Sequence, residues 1–304
     1  MDKKTTGVSI VVCSIDPALC EKLKSNIAET IGVEFEFIVF DNRHEKWGIC
    51  KVYNHCAKKA VYPYLCFIHE DIKITTKEWG AALIEFAQSS PDCGVIGIAG
   101  GTVAYRNFTA WGNGAFVKDV RHRFWQYYEN RAVGVFEFEY YNPDNVDFPE
   151  VITLDGCFLF TAQNVYAMKP FDEDTFPGFH FYDADFTFGI AQIKKNYVCC
   201  KIDVYHSSKG SYNADYYKNV KKFQIKWKDA LPQTVESKKI NTKCEVHTVG
   251  SYIVACLRTG GVSGCIDSIS HSIKMNGYLF FVKVVLYSFT YLILKKVGCK
   301  KSYE

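Results

Sequence analysis

Residues 64–71 read YLCFIHED. Five apolar and aromatic residues run without a break into His69, Glu70 and Asp71. An uninterrupted run of that length predicts a strand buried on both faces, the habit of parallel sheets. The polar triplet then falls just past the strand's carboxyl end, where open α/β sheets bind their ligands.

The same pattern repeats upstream. GVSIVVC (7–13) predicts a first buried strand. Asp16 can cap a following helix and Pro17 suits its first position. Leu19, Leu23, Ile27 and Ile31 recur at helical spacing, and Gly32 can end that helix. FEFIVF (35–40) predicts a second strand ending at Asp41-Asn42, and Val52, Cys56 and Ala60 give one face to a short helix. Downstream, a helix is expected near 77–88 and a strand at 94–99. Strand–helix–strand order of this kind predicts a doubly wound, mostly parallel sheet with helices on both faces. VITLDGCFLFT (151–161) predicts a further strand interrupted at Asp155-Gly156. A helix is expected after Phe186 through Ile193, and a single strand over 197–206 ending at His206. The aromatic stretch 102–150 has too weak a period to assign.

The net charge of +3 hides an asymmetry. Residues 218–304 carry a balance of +10 and residues 1–217 a balance of −7. The expected organisation is therefore an α/β domain over 1–217 and a basic helical extension over 218–304, the latter suited to an anionic surface. Residues 275–294 hold one charge, Lys283, near their middle. That disfavours a spanning helix and favours one lying in the membrane interface. The 13 cysteines include no CxxC pair, which argues against zinc, and several sit inside apolar runs. A reducing cytoplasm suits them. The short apolar run after the first residues reads as a strand, not a signal peptide.

Several side chains could carry chemistry. Glu70 and Asp71 offer hard oxygen ligands for Mg²⁺ or Mn²⁺; the plainer alternative is a solvated turn or a helix cap. Asp183 and Asp185 share a face if extended and diverge on a helix. One of them can serve as a general base. His206 can be a neutral imidazole ligand. The glycines of GVIGIAGG (94–101) lie in and after a strand with no clear helix behind them, so no dinucleotide site is expected.

Taken together, YNHCAKKAVYPYLCFIHEDI (53–72), GVIGIAGG (94–101), LDGCFLFT (154–161), FPGFHFYDADF (176–186) and YHSSKGSYNADYY (205–217) resemble the family-2-like glycosyltransferases of the GT-A fold. The likeness is to a bacterial branch whose metal triplet reads His-x-Asp in place of Asp-x-Asp, and it covers roughly residues 7–217. The resemblance implies a metal-dependent, inverting transfer of a sugar from a nucleotide-diphosphate-sugar to a glycan or lipid-linked acceptor. The basic C-terminus, outside the resemblance, suggests an acceptor or lipid carrier at an anionic membrane surface, the inner face of the cell membrane, as in surface polysaccharide or glycoconjugate assembly; no nucleic acid partner is expected. Asp71 and His206 would hold a divalent ion. Ser14, Asp41, Asn42, His69 and Glu70 would meet the nucleotide-sugar. Asp155-Gly156 would face the acceptor. Asp183 would be the base, with Asp185 as runner-up because Tyr182 replaces the usual Glu of a Glu-Asp pair. The alternative is a non-catalytic nucleotide- or glycan-binding protein on the same fold.

Overall fold

The computed structural model describes residues 6–112, 117–128, 134–207, 213–235 and 242–286. Contacts divide the chain into two compact units. One comprises Met1–Thr102 with Val120–Gly210, the other Val103–Asp119 with Ser211–Glu304. The units therefore do not follow a single cut near residue 217. The physical reason is a strand pair: Val103–Ala104 bonds to Gln233–Thr234.

The first unit is built on a seven-stranded sheet. Its spatial order is Glu150–Val151, Lys195–Val198, Cys93–Gly97, Phe158–Ala162, Tyr64–Ile68, Gly7–Ser14, Glu34–Asp41. Five strands run in one direction; Phe158–Ala162 and Glu150–Val151 run against them. The central strands are buried almost throughout, as their uninterrupted apolar runs require. Helix Pro17–Thr30 starts where Asp16 accepts from the amides of Ala18 and Leu19. It buries Cys20, Leu23 and Ile27 on one face, and Gly32 lies just beyond its end at φ +73°.

A second sheet is ordered Thr153–Leu154, Ala99–Gly101, Val120–Tyr128, Val204–His206, Ile72–Ile74, with Val135–Tyr141 paired to Val120–Tyr128. This hairpin accounts for much of the stretch that has no clear period. Rings occupy both faces of Val120–Tyr128, so the apolar–polar alternation of a half-buried strand is missing there, and in Val135–Tyr141 it is confined to Phe136 through Tyr140.

Three expected elements differ in their bounds. The strand over 197–206 is two strands, Lys195–Val198 in the large sheet and Val204–His206 in the second. The run 151–161 splits into Glu150–Val151, Thr153–Leu154 and Phe158–Ala162, with Asp155-Gly156 at the turn between sheets. The helix expected after Phe186 begins earlier and spans Tyr182–Ile190.

In the second unit, helix Thr242–Asn276 runs for 35 residues, and helix resumes over 278–286 after Gly277. No helix among the described residues is long and apolar enough to cross a membrane. Residues 287–294 of the expected interfacial helix, and the basic cluster of Lys295, Lys296, Lys300 and Lys301, lie outside the described residues, as do Ser208, Lys209 and Gly210.

Candidate active site

Four chain segments converge at the carboxyl end of the Tyr64–Ile68 strand. They are the triplet 69–71, the turn at Asp155-Gly156, the first turn of helix Tyr182–Ile190, and the end of Val204–His206. The second sheet brings the last of these in, because His206 pairs with Ile72 directly after the triplet.

His69, Asp71 and His206 present ligand atoms that all lie within 4.8 Å of one another. The His206 Nε2 is 3.7 Å from Asp71 Oδ1. That Oδ1 is buried with no hydrogen-bond partner. An unsatisfied buried carboxylate oxygen costs about 1–3 kcal/mol or more, a cost that a bound cation removes. Burial, then the neighbouring His206, push the His69 imidazole below its usual range and keep it neutral, the form that ligates metals. Two imidazole nitrogens and a carboxylate fit a divalent ion such as Mn²⁺. The geometry also shows what engages His69: its Nε2 is 2.6 Å from the Tyr182 hydroxyl.

Glu70 points the other way. Its carboxylate accepts from the Ser14 hydroxyl at 2.6 Å and from the amides of Ile15 and Asp16 at 3.1 Å. It therefore pins the loop that follows the first strand. Ser14 is also in register with Asp41 on the adjacent strand. Asp41 is half exposed, caps the helix Asn42–Glu45 and pairs with Arg43 at 2.6 Å. The hydrogen bonds from Arg43 hold its carboxyl down to about 2. Asn42 closes its own loop by exchanging hydrogen bonds with Trp47.

Asp155 and Asp183 make an unequal pair of carboxylates. Burial works to raise Asp155, but His206, the Cys157 amide and His69 outweigh it and leave it lowered and charged. Asp183 is pushed up to about 7 by burial and by the charge of Asp155. Its Oδ2 accepts from the Gly156 amide at 3.1 Å. A carboxylate poised near neutrality is tuned for general-base work. Asp185 sits two residues further along the helix, so it faces elsewhere, and it is buried. Gly156 is held to glycine by space: a Cβ there would lie 2.1 Å from the Tyr182 hydroxyl and 2.8 Å from Asp183 Cβ.

Two residues of the site have no strong signal in the sequence. Phe179 is 57% exposed, with its ring 5.9 Å from that of His69 and 6.0 Å from Tyr182. Thr187 accepts from the Leu154 amide and donates to the Asp183 carbonyl, fixing the helix to the turn.

The profile of the glycosyltransferase-like family matches residues 9–227. No protein of curated function matches the sequence. Among solved structures, GalNAc-T7 crystallised with UDP, GalNAc and Mn²⁺ is 11% identical, with a TM-score of 0.50 over 74% of this chain and 48% of that one. TarS of S. aureus in complex with UDP-GlcNAc is 13% identical, with a TM-score of 0.45 and coverage of 88% and 73%. The mannosyltransferase PcManGT of Pyrobaculum calidifontis, in complex with GDP-Man and Mn²⁺, is 9% identical, with a TM-score of 0.48 and coverage of 94% and 88%. The chain spans about half the length of the first of these, and that likeness is one of fold. The family match runs from the first strand through the whole converging cluster, and by it this chain belongs to the glycosyltransferase-like family.

Proposed function

We propose that the protein transfers a sugar from a nucleotide-diphosphate-sugar to an acceptor hydroxyl, with inversion and with a divalent ion at His69, Asp71 and His206. The single observation that carries this reading is the buried, partnerless Asp71 oxygen between two histidines, beside a carboxylate poised near 7. A divalent ion in that cluster supplies positive charge against the leaving diphosphate. The remaining work falls to the chain. Asp183 takes the proton of the acceptor hydroxyl as its oxygen bonds to the anomeric carbon. The bond from that carbon to the diphosphate breaks, and the electron pair leaves with the phosphate. Gly156 donates to Asp183 Oδ2 and fixes its direction. Ser14, Asp41 and Asn42 stand at neighbouring strand ends, where a nucleotide would lie. Glu70 shapes that edge through the loop that it holds.

The proposed setting is assembly of bacterial surface glycans, with a glycan or lipid-linked acceptor and peripheral attachment to the cytoplasmic face of the membrane. Supporting the last point, the helix over 278–286 exposes Tyr278, Leu279 and Leu286 beside Lys283, as interfacial helices do.

A thermal-shift screen of nucleoside diphosphates and nucleotide-sugars tests the core of the reading, because a ligand of the folded state raises apparent stability. At least one is expected to raise the melting temperature with Mn²⁺ and not with chelator. No metal-dependent shift across UDP, GDP, CDP and TDP and their sugars would overturn it.

A further inference from the structure

One face of the second sheet is aromatic, and among the described residues its outer strand leaves three rings exposed, Phe136, Phe138 and Tyr140. Strand register fixes which residues share it. Phe138 lies opposite Trp125, Trp125 opposite Tyr205, and Tyr205 opposite Lys73, a row across four strands. Neighbouring strands are about 4.8 Å apart, so the row is long enough for more than one sugar ring. Side chains alternate along a strand, so Tyr127 joins this face from Trp125's strand, and Phe136 and Tyr140 from Phe138's. The rings form one continuous platform. Trp125 stacks on Tyr205 at 5.2 Å with 3° between planes and meets Phe138 at 5.0 Å. Phe136 meets Tyr205 at 5.2 Å, and Phe138 stacks with Tyr140. Phe136, Phe138 and Tyr140 are 38%, 42% and 46% exposed. Contiguous exposed apolar surface of this kind marks a place of interaction.

Two features say what covers it. The first is continuity. Phe136, Tyr205 and Lys73 also line a groove of about 910 Å³ that runs along helix Pro17–Thr30 to Glu70 and Asp71. The groove thus joins the platform to Asp71 of the metal cluster. The second is chemistry. The platform is made of rings, with no Leu, Ile or Val in the row, and Arg123 lies over Phe138 and Tyr140 at 5.2 and 5.7 Å while pairing with Asp203. The C–H face of a pyranose carries weakly positive hydrogens that suit the negative face of a ring. Its hydroxyls suit Arg123, Asp203 and Lys73 at the margins.

We propose that this face is a glycan-binding platform that holds a stretch of the acceptor chain remote from the reacting hydroxyl. The word acceptor rests on the glycosyltransferase reading; the binding of pyranose oligomers does not. The test is a glycan array of neutral and acidic pyranose oligosaccharides probed with the labelled full-length chain. The wild type is expected to bind at least one class, favouring longer oligomers. The double variant F138S/Y140S, changed only at exposed positions, should lose about tenfold or more of that signal while melting at the wild-type temperature. Glu137→Gln, on the opposite face of the same strand, should bind as wild type. Three results overturn the proposal: no glycan bound, equal binding by F138S/Y140S, or a wild-type dimer that this variant converts to monomer. Failure of the catalytic reading is separate, since it appears as absent metal-dependent nucleotide binding in the wild type.

Discussion

In the proposed mechanism Asp183 couples function to stability within one side chain. Its carboxyl titrates near 7 when folded, well above an exposed aspartate at 3.8. The folded state therefore holds this proton more tightly than the unfolded chain. The stabilisation is complete at acid pH and is lost as pH rises through about 7. Asp183→Asn removes that dependence. The variant should melt above the wild type by a margin that widens from pH 5 to pH 8, as calorimetry at several pH values would register. The same substitution should lower transfer by about 10²–10⁴, with nucleotide affinity kept. In the wild type kcat/KM should rise with pH towards a plateau above about 7, since only the ionised base accepts a proton. Asp71→Ala makes the opposite trade. It removes the stranded oxygen, so the metal-free protein should be no less stable, yet Mn²⁺-dependent affinity for a nucleoside diphosphate should fall by at least about tenfold. Unchanged affinity by titration calorimetry would remove Asp71 from the metal site.

At the scale of elements, two short connections set the geometry. Glu70→Ala removes the acceptor of three donors, the Ser14 hydroxyl and the Ile15 and Asp16 amides. It should cost about 1–3 kcal/mol by denaturant unfolding, and it should weaken nucleotide binding. Gly156→Ala drives a methyl against Tyr182 and Asp183. Overpacking of this kind costs about 1–3 kcal/mol, and transfer should fall further than stability alone explains. The strands feeding this region are legible in the sequence because both faces of YLCFI and GVSIVVC are buried and their runs are unbroken. Positions 69, 71 and 206 are legible as types at strand ends, and Asp183 as a type alone, because the helix that carries it begins at Tyr182 and not after Phe186. What the sequence conceals is orientation. Glu70 reads like a ligand but turns to the backbone of a loop 55 residues away. His69 gains a partner, Tyr182, 113 residues on. The hairpin Val120–Tyr128/Val135–Tyr141 hides because exposed rings imitate buried ones.

For the whole molecule, membrane attachment is tested better by substitution than by truncation. Cutting after residue 217 would take away Gln233–Thr234, the partner of Val103–Ala104, and Gln224, which donates to the Phe108 carbonyl. Leu279→Glu and Leu286→Glu change exposed positions instead. Together they should abolish flotation with anionic liposomes and leave nucleotide binding intact; flotation equal to wild type would end the idea. The same strand pair bears on how the chain is made. Val103–Ala104 leaves the ribosome about 130 residues ahead of the strand that completes it, a wait of roughly 6–26 s at ordinary rates of synthesis. Through that interval the segment travels as an unfinished edge, between two stretches of the other unit, which is itself complete only once Gly210 has been made. A nascent chain stalled before residue 233 should therefore recruit holding chaperones, and one stalled after the C-terminal helix has emerged should release them.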